Sequence, residues 1–314
     1  MGMELSYLLL QQILSMVLMA MLGFAAGRTG IIKGQQSRVL SCLTLYIMTP
    51  CNLIVSFSSK RDLERLEGLF FSLIAALILR SLFVWLSDLV NRKKRRITQV
   101  EQASVIYNNV GNMTIPLVQS VLGMEYVLYT SPHFLIQTLY MWTHGQKLMG
   151  GVQKLTVKRL LKTPAIAGTL IGLFFFFTGL PIPSLIYSSL ERVGGSMLPV
   201  VMIEIGILLS EVDLRQLVRM KRVYFVCAIR LVLLPLLAMA ILLIISRAWN
   251  HSDAVNILVV ALLCYIGPSA ATVTQQAQLY CRENAGYASS INVLTTMMCA
   301  ITMPLMTTLF LMLM

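Results

Sequence analysis

The sequence has little of what a water-soluble protein needs on its surface. Charged residues make up 12% of the 314 positions, apolar residues make up 57%, and only 13 residues are acidic. A globular core cannot enclose this much apolar surface, so we expect lipid to be the solvent for most of the chain. A water-soluble fold is therefore excluded.

The sequence also lacks the motifs of enzymes and metal sites. Its six cysteines show no CxxC or Cys/His spacing. The apolar runs contain no serine–histidine pair, aspartate dyad or HExxH motif. His133 and His144 stand far from any cluster of carboxylates in the sequence. We therefore expect no catalytic residue, no bound metal and no cofactor.

What the chain does have is long apolar runs separated by short charged stretches. Each run approaches the ~20 residues that an α-helix needs to cross the hydrocarbon core of a bilayer. The pattern predicts an all-α membrane protein with ten transmembrane helices. The predicted helices cover residues 6–27, 37–57, 68–90, 100–122, 125–145, 164–180, 184–209, 220–246, 253–280 and 286–312.

The basic residues, which give the chain a net charge of +12, lie mostly between the apolar runs. Nucleic acid binding would need them on one soluble face, so we expect no nucleic acid partner. Alternate loops hold most of the Lys and Arg residues, including the cluster at 92–96, and such loops stay in the cytoplasm. This bias predicts a multi-pass protein of the cell (inner) membrane with both termini on the outer side.

The two halves of the chain share landmarks at one offset. Three pairs of residues lie 150 to 152 positions apart, namely Arg80 and Arg230, Asp62 and Asp213, and Pro116 and Pro268. A shared offset near half the chain length indicates a duplication, and five helices per copy would invert the second copy in the membrane. We predict a five-helix repeat at 1–145, a cytoplasmic interfacial linker at 146–163 and an inverted five-helix repeat at 164–314.

Polar and helix-breaking residues interrupt the fourth and ninth runs at matching positions. The fourth run contains Asn108-Asn109-Val110-Gly111-Asn112 before Pro116, and the ninth contains Gly267-Pro268-Ser269. Backbone of this kind is costly in lipid and is tolerated where it lines a cavity. Two plain proline kinks, with their polar groups satisfied between helices, are the alternative. We predict crossed, proline-broken fourth and ninth helices, with half-helices that start at Pro116 and Pro268.

Crossing would bring two half-helix N-termini to one point near the membrane midplane from opposite directions. Each N-terminus presents unpaired N–H groups and about half a positive charge. The predicted ligand is therefore a small organic anion, with carboxylates as the leading class. The predicted substrate-binding residues are Asn108, Gly111, Asn112, Thr114, Pro116, Gly267, Pro268 and Ser269.

Three further charged residues fall inside predicted helices, where charge is costly and marks functional positions. Arg80 and Arg230 could counterbalance the anion, pair within the bundle or extend to the membrane interface. Glu204 could couple transport to a proton, pair with an arginine, or stay neutral and hydrogen-bonded at an interface. The sequence leaves these alternatives open.

Short motifs recur in a fixed order along nearly the whole chain. They are Gly27-Arg28-Thr29-Gly30-Ile31-Ile32, Leu45-Tyr46-Ile47-Met48-Thr49-Pro50, Gly111-Asn112, Ile115-Pro116-Leu117, Thr163-Pro164, Gly168-Thr169-Leu170-Ile171-Gly172-Leu173, Gly194-Gly195-Ser196-Met197-Leu198-Pro199 and Pro268-Ser269-Ala270. In their order and spacing they resemble the auxin efflux carrier family, which includes plant auxin exporters and bacterial transporters of small organic acids. The compact loops are more similar to the bacterial members.

The resemblance implies an arrangement and a mechanism. Helices one, two, six and seven would form a scaffold, and helices three to five and eight to ten a moving transport bundle. The family also implies a homodimer in the lipid bilayer and elevator-type alternating access to an organic anion. Its members often carry a small apolar residue where this chain has Glu204.

Two alternatives to a simple anion carrier stay open. A sodium-coupled organic-anion symporter, resembling bile-acid transporters, would share the architecture, although the breaks offer no carboxylate for a strong sodium site. A non-transporting membrane sensor would bind a ligand in the same pocket without moving it, since a transport fold does not prove transport. Loops this short give a sensor little surface with which to signal.

Overall fold

The computed structural model describes residues 2–57, 63–94, 97–151, 163–211, 219–249, 251 and 253–314. Their backbone is almost entirely helical, and among them the only β-type pairing is one isolated bridge. The predicted interfacial linker falls largely on 152–162, and the landmarks Asp62 and Asp213 also lie outside the described residues.

Several of the helices suit a membrane. Among the described residues, four helices are long and apolar enough to cross one, judged by length and composition. They cover Leu63–Asn91, Ser184–Glu211, Lys221–Arg247 and Arg282–Leu313. Shorter apolar helices cover Leu14–Arg28, Tyr46–Phe57, Pro164–Thr178 and Ala254–Ile266. The described part of the chain is therefore almost entirely helical and has the helices of a multi-pass membrane protein.

We number the described α-helices in chain order. They are α1 (Gly2–Arg28), α2 (Gly34–Leu43), α3 (Thr49–Phe57), α4 (Leu63–Lys94), α5 (Gln99–Ile106), α6 (Ile115–Val121), α7 (Met124–Tyr140), α8 (Gln146–Leu148), α9 (Pro164–Thr178), α10 (Ser184–Gly195), α11 (Met197–Glu211), α12 (Lys221–Ala228), α13 (Leu234–Ala248), α14 (Ala254–Ile266), α15 (Ala271–Tyr280) and α16 (Ala285–Leu313). Turns of π-helix lie at Thr44–Met48, Val110–Thr114, Met141–Gly145 and Ile229–Leu233.

The chain divides into two compact units. The first comprises the described residues within Met1–Phe70, Gly111–Ser131 and Thr156–Val212, and the second those within Phe71–Val110, Pro132–Leu155 and Asp213–Met314. The boundary between Val110 and Gly111 falls inside the predicted fourth helix. Each unit therefore receives one side of that interrupted helix.

In the first unit, helices α1 and α11 approach each other at backbone distance. A methyl group added at Gly206 would overlap the backbone oxygen of Ala20, and one added at Gly23 would overlap that of Ile203. Small residues permit this close packing, which is common between membrane helices because lipid gives no hydrophobic force to hold them together.

In the second unit, α14 forms the centre. Every residue from Ile257 to Ile266 is buried, so this helix is covered on all sides by protein. Its run of apolar residues matches that position, because a helix that is hydrophobic all round is a buried one. The end of α14 is thus held firmly where the predicted break begins.

The packing of α1 against α11 predicts the effect of one methyl group. Gly206→Ala should lower the stability of the protein by about 1–3 kcal/mol, because the two backbones would have to separate. The measurement is thermal unfolding of the purified protein in detergent. Gly286→Ala on α16 is the control, since nothing lies within 4 Å of a methyl group added there. Unfolding temperatures that match in both variants would contradict the close approach.

Candidate functional site

Helices α5 and α14 each end at a short extended segment, and the two segments pair with each other. The N–H of Asn109 donates to the carbonyl of Pro268 at 2.9 Å, and the N–H of Ala270 donates to the carbonyl of Tyr107 at 3.0 Å. The pairing is antiparallel, so each segment satisfies backbone groups that the other exposes. We refer to these two paired segments in the second unit as the joint.

The predicted site residues divide between the two units. All eight are buried. Those at the joint are Asn108, Gly267, Pro268 and Ser269, with Asn108 and Ser269 directly opposite each other. Those in the first unit, on the π-helical turn after the break or on α6, are Gly111, Asn112, Thr114 and Pro116.

The helices resume differently after the two breaks. Helix α6 begins at Ile115 with Pro116 in its first turn, as predicted, although the π-helical turn extends the helical backbone back to Val110. Helix α15 begins at Ala271, three residues after Pro268, so the prediction for that half-helix is wrong. The reason is that Pro268 and Ala270 are held in the extended pairing of the joint.

Arg80 on α4 is completely buried and reaches the first break. Its Nη2 atom donates to Asn108 Oδ1 at 2.9 Å and to Gln137 Oε1 at 2.5 Å, and its Nη1 atom donates to the carbonyl of Ile106. Its guanidinium carbon also lies 5.1 Å from the ring centre of Tyr265. Arg80 therefore supplies donors where the end of α5 leaves carbonyl oxygens unpaired.

Arg230, on the π-helical turn between α12 and α13, makes matching contacts and is also completely buried. Its Nε atom donates to the carbonyl of Gly267 at 3.0 Å, and its Nη2 atom to that of Tyr265 at 3.0 Å. Its Nη1 atom donates to the carbonyl of Val105 at 3.1 Å. The side chain thus bonds to the ends of both interrupted helices.

The two guanidinium groups leave the joint positively charged. In the part of the chain that the structure describes, all their hydrogen-bond acceptors are uncharged oxygens. An arginine side chain keeps its charge in a protein. Each helix C-terminus contributes roughly half a negative charge, so α5 and α14 offset about one of the two positive charges. Among the residues that the structure describes, about one positive charge therefore remains without a counter-ion.

Two buried polar side chains near the joint have no hydrogen-bond partner among the described residues. One is Ser269, whose N–H donates to Thr295 Oγ1 at 3.2 Å and whose carbonyl accepts from Asn292 at 2.6 Å, while its hydroxyl is unpaired. The other is His133, whose ring meets that of Tyr265 edge-on with centres 5.5 Å apart. Unpaired buried groups of this kind are rare and are candidates for contact with a ligand or water.

Sequence reasoning missed Gln137, which connects Arg80 to the broken backbone. Its Oε1 atom accepts from Arg80, and its Nε2 atom donates to the carbonyl of Asn108 at 2.6 Å. His133, Gln137 and Tyr140 follow one another at intervals of four and three residues, which places them on one face of α7. A polar stripe with that spacing in an apolar run is the signal that would have identified this face.

The remaining predicted residue, Glu204, is buried on α11 in the first unit, whereas Arg80 and Arg230 belong to the second. Throughout the described ranges, no group of three or more His, Cys, Asp or Glu side chains is arranged to hold a metal ion. The chemistry of the joint is therefore that of arginine, amide and hydroxyl groups.

Comparison with known proteins identifies the family. The family model described as "Membrane transport protein" matches residues 8–158 and 148–307. The chain belongs to this family. The resemblance to auxin efflux carriers is thereby confirmed, and the protein is a transporter. An uncharacterized transporter of Methanocaldococcus jannaschii is 22% identical over 210 residues, which cover 63% of this chain and 68% of that relative.

The hydrogen bond from the Ser269 N–H to Thr295 predicts the effect of a substitution on the stability of the joint. Thr295→Val keeps the side-chain shape but removes the acceptor of the Ser269 N–H, so we expect a loss of about 1–3 kcal/mol for a buried unpaired donor. Thermal unfolding in detergent measures it. Thr307→Val is the matched control, because Thr307 is also fully buried on α16 and its hydroxyl donates to the carbonyl of Met303 within its own helix. Equal losses in both variants would rule out this role for Thr295.

Proposed function

We propose that the transporter is a secondary carrier of a small organic anion, with carboxylates as the substrate class. The observation that carries the proposal is the pair of buried guanidinium groups, Arg80 and Arg230, whose acceptors within the described ranges are all uncharged. A buried charge without a partner is costly, and charge inside a membrane marks a substrate path. A bound carboxylate supplies the missing counter-charge.

Residues of the second unit offer the carboxylate hydrogen bonds. The unpaired hydroxyl of Ser269 is one donor, and the first N–H groups of α15, which starts at Ala271, are others because a helix leaves them without internal partners. Asn108 positions Arg80 and does not offer its amide to the carboxylate, because that amide already bonds to Arg80 and to the carbonyl of Cys264.

In the first unit, the predicted substrate-binding residues share one short segment. Gly111, Asn112 and Thr114 follow Asn108 closely along the chain, and Pro116 lies in the first turn of α6. Asn112 and Thr114 carry polar groups in a buried, helix-starting segment, where N–H groups favour an anion. Gly111 and Gly267 have no side chain that would keep a ligand from the backbone.

The proposed architecture is ten transmembrane helices as two inverted repeats, 1–145 and 164–314, joined by the linker at 146–163. Support comes from Arg80 and Arg230, which lie 150 positions apart and both donate to carbonyls at the end of an interrupted helix. Two arginines at matching repeat positions thus donate hydrogen bonds to the same kind of acceptor, as expected after a duplication.

The proposed mechanism is elevator-type alternating access. The first unit contains the predicted scaffold helices, which correspond to α1–α3 and α9–α11, and most of the predicted transport bundle lies in the second unit. Residues Gly111–Ser131 fall in the first unit, although they belong to the predicted bundle. The carrier would be a homodimer in the inner membrane with both termini on the outer side.

The charge at the joint predicts selective binding of carboxylates. The ligands are benzoate, malate and citrate, and benzylamine is the control because it is a cation of similar size to benzoate. Each compound is tested for thermal stabilisation of the purified protein and for counterflow in proteoliposomes. At least one carboxylate should stabilise and exchange, and Arg80→Gln should weaken that binding by about tenfold or more, since it removes one positive charge from a buried site.

Arg80→Lys is the matched control. An ammonium group keeps the charge and has three donors for the three acceptors of Arg80, so binding should fall less than in Arg80→Gln. Both variants are first checked for a single folded species by size-exclusion chromatography. Equal carboxylate affinity in the two variants, or stabilisation by benzylamine alone, would overturn the anion assignment.

A sodium-coupled symporter is the alternative within the same architecture. The oxygen atoms at the breaks that could coordinate sodium, such as the carbonyls of Ile106, Tyr265 and Gly267, already accept hydrogen bonds from guanidinium groups. We expect carboxylate uptake into proteoliposomes to change less than about twofold when potassium replaces sodium, because the arginines occupy these acceptors. Uptake that requires sodium would favour the symporter.

A membrane sensor that uses the same pocket is the other alternative. Counterflow separates the two, since a carrier exchanges labelled for unlabelled carboxylate across the vesicle membrane. Binding without any exchange would identify a sensor, and exchange would identify a carrier.

A further inference from the structure

A second hydrogen-bond network in the second unit lies next to the joint. The ring of His144, on the π-helical turn after α7, sits between Asp88 of α4 and Tyr107 at the end of α5. Its Nε2 atom lies 3.2 Å from Asp88 Oδ1, and its Nδ1 atom lies 2.8 Å from the hydroxyl oxygen of Tyr107. The fold brings together two residues that are 56 positions apart in the sequence.

The hydroxyl of Tyr107 can satisfy this network in two ways. It lies 3.0 Å from the carbonyl of Tyr140 and 2.8 Å from His144 Nδ1, but it has one proton to donate. If it donates to Nδ1, the ring is neutral and its Nε2–H donates to Asp88. If it donates to Tyr140, both ring nitrogens are donors and His144 is a cation beside Asp88. Rotation of one O–H bond therefore accommodates either protonation state.

The carboxylate of this network is fixed by a neutral group. Gln102 Nε2 donates to Asp88 Oδ1 at 2.6 Å, and Asn91 in turn donates to Gln102 Oε1 at 2.8 Å. Asp88 is thus oriented without a permanent positive charge among these contacts. The Asp88 carboxylate can therefore stabilise a positive charge on the ring of His144.

The surroundings of His144 connect the surface of the second unit to the joint. Asp88 from α4 and Tyr107 after α5 contact the His144 ring, and Lys147 on α8 follows it in the sequence. Tyr107 in turn contacts Tyr140 from α7 and Arg80. These are the titratable and charged groups around His144. The side chains of Asp88 and His144 are 35% and 21% exposed, whereas Tyr107 is fully buried. A proton can therefore enter at Asp88 and His144.

Tyr107 carries the effect of that proton to the joint. Its carbonyl accepts from Ala270 in the paired segments, and its ring centre lies 5.8 Å from the guanidinium carbon of Arg80. The side chain that reorients its O–H bond on protonation of His144 is thus itself a member of the joint. Histidine is the side chain whose charge changes most readily near neutral pH.

We propose that His144, together with Asp88 and Tyr107, binds a proton that is coupled to transport of the anion. A hydronium ion of the bulk solvent supplies the proton, which adds to Nδ1 and leaves a water molecule, while the Tyr107 O–H turns from Nδ1 to the carbonyl of Tyr140. This inference rests on the proposed carrier function, but the binding of the proton can be measured without a substrate.

Proton binding is tested by NMR on the purified full chain labelled with ¹⁵N-histidine. The chain has three histidines, so the His144 signals are assigned by their loss in His144→Gln, with His251→Gln as the control. They should change from the Nε2-protonated ring to the doubly protonated ring as the pH falls from about 8 to about 5. Asp88→Asn should weaken proton binding by about tenfold, because it removes the neighbouring negative charge. A ring that keeps one form throughout would overturn the proposal.

Coupling is tested in proteoliposomes with whichever of benzoate, malate and citrate the wild type exchanges. A pH gradient should drive accumulation in the wild type and in His251→Gln. His144→Gln should lose this accumulation but keep counterflow exchange, and Asp88→Asn provides a second variant. Accumulation in His144→Gln equal to the wild type would overturn the coupling. A titrating His144 in a protein that exchanges none of the three carboxylates would instead contradict the proposed carrier function.

Discussion

The carbonyl groups left unpaired by two interrupted helices are the constraint on which the second unit depends. A helix that stops inside a membrane has no water to satisfy its last carbonyls, so the protein must supply donors. Arg80 and Arg230 do so, with donors matched to several oxygens at once. Because a guanidinium group keeps its charge, this solution to a hydrogen-bond problem places positive charge in a buried site.

The neutral residues around the arginines matter as much as the arginines. Asn108 and Gln137 accept from Arg80 through amide oxygens, where a carboxylate would form an internal ion pair. An internal ion pair would satisfy the charge within the protein and leave nothing for a substrate to compensate. Amide oxygens accept the hydrogen bonds of Arg80 without neutralising its positive charge. A carrier of anions would need such an uncompensated charge.

The sequence predicted the breaks well because proline, glycine and asparagine act on the backbone locally, at Asn108, Pro116 and Pro268. It placed the start of α15 too early, since Ala270 is held by pairing with a segment over 150 residues away. The side chains of Gln137 and His144 were missed as partners because their contacts depend on how α7 lies against α4 and α5. Such packing is decided by the whole unit and leaves only a weak periodic trace in the sequence.

The proposed anion and the proposed proton would act on the same few groups with opposite charge. An anion at the joint reduces the positive potential there, which makes a second positive charge on His144 less costly, and a proton on His144 in turn favours the anion. By linkage, each ligand must strengthen the other by the same factor. Tyr107 lies between the two, with its hydroxyl at His144 and its ring beside Arg80. On these two proposals, cooperative loading of anion and proton would follow from charge alone, without any change in the positions of the helices.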